Sequence, residues 1–271
     1  MPELPEVETI RRQLQRVLAG QTIKKVDRLH PKSFLGSPSR VAGRKIVAIK
    51  RKAKTIWVDL EGDLNLLIHL KMTGQLVYLP ASASPQALQA GKHTRVVFTL
   101  TKGRLIFNDM RLFGWIKAVD NDWLKKHFAK LPPDVVDKAF TVKYLDKILL
   151  SSNRAVKLVL LDQAKLGGVG NIYVNDALFC AAINPQTPAK KVKRISQLHR
   201  CLIKVINRGI KYGGSTAKDE NYVNAYGKRG NYQTKFLVYE QAGKTCKRCG
   251  GTIKKIKLGG RGTYFCPSCQ K

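Results

Sequence analysis

Two Cys-x-x-Cys pairs near the end of the chain, Cys246 with Cys249 and Cys266 with Cys269, constrain its fold more than any other feature. Sixteen residues separate the pairs. Two such knuckles joined by a spacer of hairpin length fit a tetrahedral, four-cysteine zinc ribbon. The spacer agrees: Thr252–Leu258 reads as one strand, Gly259-Gly260-Arg261-Gly262 as the turn and Thr263–Phe265 as the return. Four thiolates leave zinc no open position, so a single structural zinc ion is expected on Cys246, Cys249, Cys266 and Cys269. Arg261, between glycines at the tip, suits a solvated guanidinium and a bidentate phosphate contact equally. Cys180 and Cys201 stand apart in apolar sequence. In a reducing compartment they are expected as small buried hydrophobes, not as a disulfide.

Charge narrows the choice of partner. The 271 residues include 50 Lys and Arg against 18 Asp and Glu, a net charge of +32. Self-repulsion on that scale calls for a polyanionic partner. Nucleic acid leads, because each neutralised phosphate releases a counterion; an anionic membrane surface or general solubility is the alternative. An apolar fraction of 44% allows a sizeable core. No apolar run approaches the roughly 20 residues that span a bilayer. The acidic opening (Glu3, Glu6, Glu8) does not read as a secretory signal. A cytoplasmic, nucleoid-associated monomer with no membrane partner is expected.

Periodicity divides the chain in two. Val7, Ile10, Leu14 and Val17 recur at helical spacing, with Pro5 suited to the first turn and Gly20 to the stop. Strand-like runs follow at Thr22–Leu29, Lys45–Leu60, Leu64–Leu79 and Arg95–Val119, the last with a hairpin signal at Lys102-Gly103. Leu131-Pro132-Pro133-Asp134 reads as a linker. Helical patterns then occupy Phe140–Ser151, Arg154–Gln163, Ile172–Ala182, with Asn171 as N-cap, and Ile195–Tyr212, stopped by Gly213-Gly214. Residues 215–234 show no periodicity and read as a functional loop.

Two further segments carry possible chemistry. Lys165–Asn171 joins two helices through Gly167, Gly168 and Gly170; such a turn suits either a tight helical corner or an anion held on backbone amides. The chain opens Met1-Pro2-Glu3, and removal of the initiator methionine would expose the secondary amine of Pro2. An α-amine titrates near ~8 and a lysine near ~10.4, so its neutral fraction at pH 7 is larger by roughly two orders of magnitude. A secondary amine that attacks an aldehydic sugar carbon gives an iminium, an electron sink. Glu3 beside it could act as general acid or base. By themselves these residues also fit an ordinary capped helix start.

Taken together, Pro2-Glu3-Leu4-Pro5-Glu6-Val7-Glu8-Thr9, Gly168-Val169-Gly170-Asn171-Ile172-Tyr173 and the ribbon with Gly259-Gly260-Arg261-Gly262-Thr263 closely resemble the bacterial formamidopyrimidine-DNA glycosylase family, over essentially the whole chain. The related endonuclease VIII branch opens with glycine where this chain has Leu4, so the oxidised-purine branch is favoured. The resemblance implies an α+β protein. Residues 1–131 would form a β-sandwich with a leading helix and 132–139 a linker. Residues 140–234 would hold a helix–two-turn–helix domain with the lesion loop, and 235–271 the zinc-ribbon finger. Damaged duplex DNA would lie between the halves with the lesion flipped out of the stack.

The resemblance also implies roles. Pro2 would be the nucleophile at the sugar C1′, Glu3 the acid that protonates the ribose oxygen, and Lys54 a lysine on the lesion or its phosphate. Met72 would fill the gap left by the flipped base. Arg111 would pair with the orphaned cytosine and Phe113 would probe stacking. Lys157, Asn171 and Arg261 would grip phosphates. Several positions depart from the family pattern. A His-Asp-His-like stretch of the family appears as His93-Thr94-Arg95, which adds a positive charge near the groove, and His93 would contact DNA. Asn175-Asp176 stands where glutamate is usual, Glu240 where glycine is usual, and Tyr222 and Tyr226 sit at shifted spacing in the loop. The expected activity is that of a bifunctional glycosylase/AP lyase. It would excise 8-oxoguanine and formamidopyrimidines and nick the abasic site by β,δ-elimination. Two rivals are a glycosylase for oxidised pyrimidines and a non-catalytic zinc-ribbon DNA-binding protein.

Overall fold

The structure is a computed structural model that describes residues 2–84, 86, 89–216 and 221–271. The chain forms two compact units, 1–130 with 212–231, and 131–211 with 232–271.

The first unit begins with α1 (Leu4–Leu18), which carries Pro5 in its first turn. Leu4, Val7, Ile10, Leu14 and Leu18 are buried along one face, while Val17 packs at its margin. Among the described residues nine strands follow: β1 (Ile23–Arg28), β2 (Phe34–Leu35), β3 (Ile46–Lys52), β4 (Thr55–Leu60), β5 (Leu64–His69), β6 (Gly74–Pro80), β7 (Thr94–Leu100), β8 (Gly103–Asp109) and β9 (Trp115–Val119). They form a four-stranded sheet, β1-β7-β8-β6, and a five-stranded sheet, β2-β9-β5-β4-β3. Alternation decides which face is buried: Ile56, Val58 and Leu60 of β4 point inward between half-buried Thr55, Trp57 and Asp59. The inner faces share one core, where Ile56, Ile68 and Ile116 meet Val96, Phe98 and Phe107. This is a β-sandwich closed by α1.

A second helix, α2 (Asn121–Ala129), has no counterpart in the hydrophobic pattern. Asp120 caps it by accepting the Trp123 N–H at 2.7 Å. Its Leu124 and Phe128 cover Leu67, Val119 and Trp57 on the outer face of the five-stranded sheet.

Residues 212–231 also belong to this unit, where the sequence grouped them with the helical half. Tyr222 and Ala225 enter the sandwich core, the Tyr78 N–H donates to the Ala225 carbonyl at 2.8 Å, and Gln13 accepts from the Ala225 N–H at 2.9 Å. Of the expected 215–234 loop, residues 217–220 lie outside those described.

The second unit holds α3 (Val142–Leu150), α4 (Val156–Leu160), α5 (Asn171–Cys180), α6 (Ile195–Lys211) and a ribbon of β10 (Lys254–Leu258) paired with β11 (Arg261–Phe265). The N-cap of α5 is Gly170, and Asn171 is its first helical residue. Residues expected as a free linker are packed: the Gly167 N–H donates to Pro133, and a Cβ at Gly167 would lie 2.5 Å from Asp134 Oδ1. Cys180 and Cys201 are disulfide-bonded, which corrects the expectation of two free thiols. Their helices are neighbours, a long-range pairing that local sequence does not carry.

Candidate functional site

Each unit carries part of the expected site. In the first, Pro2 and Glu3 are buried at the start of α1. Glu6, one turn on, is 1% exposed and holds this start in place. Its Oε2 accepts the Glu3 N–H at 2.8 Å and its Oε1 accepts the Ser215 N–H at 2.7 Å. Gly214 is required there: its φ is +79°, and a Cβ would lie 2.8 Å from Glu6 Cγ. Tyr222 Oη donates to Gly213 O at 3.1 Å, and burial together with the Glu6 charge raises its pKa well above the ordinary phenol value. Tyr222 and Thr216 line a cavity of about 340 Å³ with Thr73, Gln75, His93, Asn108 and Arg229. Met110 and Val223 add apolar surface to this lining, and a mixed cavity of that volume suits one planar heterocycle.

Glu8 faces the other way. Burial alone would raise its pKa, but hydrogen bonds from Arg11 and Arg12 and the charge of Arg51 hold the carboxyl at about 2.

Lys54 ends the two-residue turn between β3 and β4 and is 5% exposed. It bears on His69 at the end of β5. Burial, with the charges of Lys71 and Lys54, lowers the His69 pKa to about 3. The geometry agrees, since His69 Nδ1 accepts the Lys71 N–H at 3.0 Å and is therefore unprotonated.

Met72, Arg111 and Phe113 are exposed on two loops that the Arg111 N–H to Thr73 Oγ1 hydrogen bond joins. Met72 lies between β5 and β6; Arg111 and Phe113 lie between β8 and β9. Met72 is 37% and Phe113 53% exposed, and the Arg111 guanidinium sits 4.8 Å from the Phe113 ring centroid. These residues are not core packing. His93 lines the nearby cavity, and its carbonyl accepts the Asp109 N–H.

In the second unit, Lys157, Asn171 and the ribbon meet. Lys157 is fully buried, and its Nζ donates to Gly262 O at 2.9 Å and Thr263 Oγ1 at 2.7 Å. Asn171 Nδ2 donates to the same Gly262 carbonyl at 3.2 Å. Asn175 adds a tie, accepting the Tyr264 N–H at 2.9 Å. The ribbon turn is Gly259-Gly260, both at positive φ, the conformation of a two-residue hairpin. Arg261 therefore begins β11 opposite Leu258, not the tip itself, and is exposed. A Cβ on Gly259 would lie 2.6 Å from Leu158 of α4, so the turn is seated on that helix.

Asp176, where glutamate is usual, is fully buried and bonded to the segment that precedes the ribbon. Its Oδ1 accepts the N–H groups of Leu237, Val238 and Tyr239 at 3.1, 3.0 and 3.2 Å, and its Oδ2 accepts Tyr232 Oη at 3.0 Å. Burial raises its pKa against these four bonds. Glu240 adopts φ 54°, the left-handed conformation that glycine would take without strain.

The four Sγ atoms of Cys246, Cys249, Cys266 and Cys269 lie within 4.8 Å of one another. Cys246 to Cys269 is 3.8 Å and Cys249 to Cys266 is 3.5 Å. Zn–S bonds of about 2.3 Å in a tetrahedron require S···S edges of about 3.8 Å. The donor set fits one structural zinc with no vacant position.

A β-sandwich that begins with a buried Pro-Glu start, and a helical unit that ends in a four-cysteine ribbon, define a two-unit class of zinc-ribbon protein. Three family models match in order: the formamidopyrimidine-DNA glycosylase N-terminal domain over residues 1–116, its H2TH domain over 131–221, and the zinc finger found in FPG and IleRS over 243–271. The formamidopyrimidine-DNA glycosylases of Pelotomaculum thermopropionicum and Chloroflexus aurantiacus are each 40% identical over 100% of this chain and 99% and 98% of theirs. A solved complex of a Lactococcus lactis FPG mutant with Fapy-dG-containing DNA matches with a TM-score of 0.91 and 32% identity, over 100% of both chains. The chain belongs to the formamidopyrimidine-DNA glycosylase family.

Sequence reasoning missed Glu6, Thr73, Gln75, Asp109 and Arg229 as parts of the site. Glu6 alone carried a local signal, being three residues after the helix-capping position.

Proposed function

We propose that the protein is a bifunctional DNA glycosylase/AP lyase of base-excision repair. Its substrates would be oxidised purines, 8-oxoguanine and formamidopyrimidines, in duplex DNA. The observation that carries this reading is the double contact of Glu6. One carboxylate oxygen holds the Glu3 amide and the other holds Ser215, next to Thr216 in the cavity wall. The amine-bearing start is thereby tied to a compartment sized for a base.

With Met1 removed, the Pro2 nitrogen attacks C1′ of the flipped nucleotide and the C1′–base bond breaks, the base leaving with the electron pair and taking up a proton; Glu3 protonates O4′, the C1′–O4′ bond breaks, and the opened sugar is held on Pro2 as an iminium. The iminium formed acidifies the C2′ hydrogen, so the 3′-phosphate departs by β-elimination and the 5′-phosphate by δ-elimination. Hydrolysis then frees the amine. Lys54 contacts the lesion or its phosphate, Met72 fills the vacated stack, Arg111 pairs with the opposite cytosine, Phe113 probes stacking and His93 lines the base pocket. In the second unit Arg261 and the Asn171 helix start grip phosphates, and Lys157 fixes the strand that presents Arg261. Zinc supplies folding energy to the ribbon and no step of the reaction. The enzyme acts as a monomer in the cytoplasm, on nucleoid DNA.

The test is incision of duplexes with 8-oxoguanine opposite each of the four bases, beside duplexes with an oxidised pyrimidine. Preferential cutting of 8-oxoguanine opposite cytosine is expected. Preference for the pyrimidine lesion, or binding without incision, would overturn the assignment.

A further inference from the structure

The side chains expected to interrogate DNA from the first unit all hang on one buried group. Asp109, the last residue of β8, is 0% exposed. Its Oδ1 accepts the Thr73 hydroxyl and, at 3.3 Å, the Arg111 N–H; its Oδ2 accepts the Gly114 N–H at 2.6 Å. Thr73 Oγ1 in turn accepts the Arg111 N–H at 3.0 Å. The Asp109 N–H donates to the His93 carbonyl, and its own carbonyl accepts Arg95 Nε at 2.8 Å. One carboxylate thus joins the loop of Met72 to both ends of the loop of Arg111 and Phe113, and the backbone of the same residue holds His93.

A second, independent observation concerns the backbone. Lys71, next to Met72, has φ 51°, and Leu112, between Arg111 and Phe113, has φ 58°. Left-handed residues other than glycine persist only where their surroundings over-determine them, and they cluster where geometry is functional. Gly114 closes the structure from below: a Cβ there would lie 2.8 Å from the Phe107 ring and 3.1 Å from Asp109 Oδ2. Exposed probes gain precision from polar groups fixed beneath them, because a displacement of about 1 Å suffices to lose alignment.

We infer that Asp109 is the positioning residue of damage recognition, which sets Met72, Arg111 and Phe113 in mutual register and so governs discrimination at the base opposite the lesion. The inference rests on the glycosylase reading and deepens it. Asp109 touches no reacting atom; it acts through the probes.

Asp109→Asn tests this with little change of shape, since an amide turns one acceptor into a donor that faces an N–H. Selectivity for cytosine over adenine opposite 8-oxoguanine should fall at least about tenfold. Borohydride trapping on single-stranded abasic DNA, which offers no opposite base, should fall far less. Amide hydrogen exchange at Arg111 and Gly114 should accelerate at least about tenfold. Thr73→Val should reproduce part of the loss and Thr73→Ser should restore it, a pair that carries the test if Asp109→Asn does not fold. Unchanged selectivity in Asp109→Asn or Thr73→Val, beside a selective wild type, overturns the inference. A wild type that incises nothing overturns the glycosylase reading instead. Unchanged exchange at Arg111 and Gly114 would then separately remove Asp109 as the anchor.

Discussion

In the first unit Arg111 and Phe113 stand in solvent, and the group that fixes them, Asp109, lies underneath. In the second unit the order is reversed. Lys157 is itself buried, its ammonium is committed to Gly262 and Thr263, and exposed Arg261 follows from that contact. A probe that reads a base must be free to enter the stack, so its support is placed below and side chain and anchor are separate residues. A grip on phosphate reads no sequence, and rigidity is all it needs. A buried ammonium with two fixed acceptors supplies that rigidity. Removal of a probe should therefore change selectivity without changing stability, and removal of a buried anchor should change stability first.

The largest effect should come from the metal. Structural zinc contributes roughly 10–16 kcal/mol of apparent folding energy in ribbon modules. Chelation, or Cys249→Ser, should expose the amides of residues 243–271 to hydrogen exchange and abolish DNA binding, while the amides of the β-sandwich stay protected. Loss of protection in both units alike would break the comparison at its root.

Lys157→Ala comes next. It leaves the Gly262 carbonyl and the Thr263 hydroxyl without their ammonium partner, at a cost of about 1–3 kcal/mol, readable by denaturant titration. Arg261→Ala should leave stability within about 0.5 kcal/mol and flatten the log–log salt slope of DNA binding by about 0.9. Equal losses of stability in the two variants would show that Arg261 is also structural.

Arg111→Ala should keep the native midpoint and lose about 1–3 kcal/mol of discrimination at the opposite base. Measurement of incision opposite all four bases gives the number directly.

The smallest effect concerns His69. Its pKa is near 3 folded and near 6.5 unfolded, so between these values the unfolded chain binds the extra proton. Stability is complete above about pH 6.5 and declines as pH falls toward 3. With a discount for half-burial, the loss by pH 5 is on the order of 1 kcal/mol. Glu8, held at about 2 against 4.5, adds a further decline below about pH 4.5. His69→Gln should remove the first decline from a stability–pH curve and leave the second.

Much of this was legible in the sequence, for identifiable reasons. The leading helix, the strand-bearing stretches and the ribbon follow from local periodicity and cysteine spacing; the structure reproduces their outer limits within a few residues, divides three of the four strand runs into two or three strands, and adds Phe34–Leu35. What escaped was decided by distant partners. The helix Asn121–Ala129 is held by Trp57 and Leu67 of the sheet it covers, so its own apolar pattern is weak. Tyr222 and Ala225 lie in a polar stretch after the last long helix, yet they belong to the same core as Val7 and Ile10. The Cys180–Cys201 bond joins two helices that each looked complete. Within the site, Pro2, Arg111 and Arg261 lie in motifs that family resemblance can carry. Glu6 and Asp109 act through Ser215 and Thr73, and no spacing in the chain announces a contact across 209 or 36 positions.

Borohydride trapping on abasic DNA decides whether the amine of Pro2 is the nucleophile. Protein whose Met1 has been removed should form a covalent adduct that peptide mapping places on the N-terminal proline. Protein that retains Met1, or carries a tag ahead of Pro2, should bind the same DNA and not be trapped, because that nitrogen is then an amide. Full trapping by the Met1-retaining protein, with the adduct mapped to Lys54, would contradict the account.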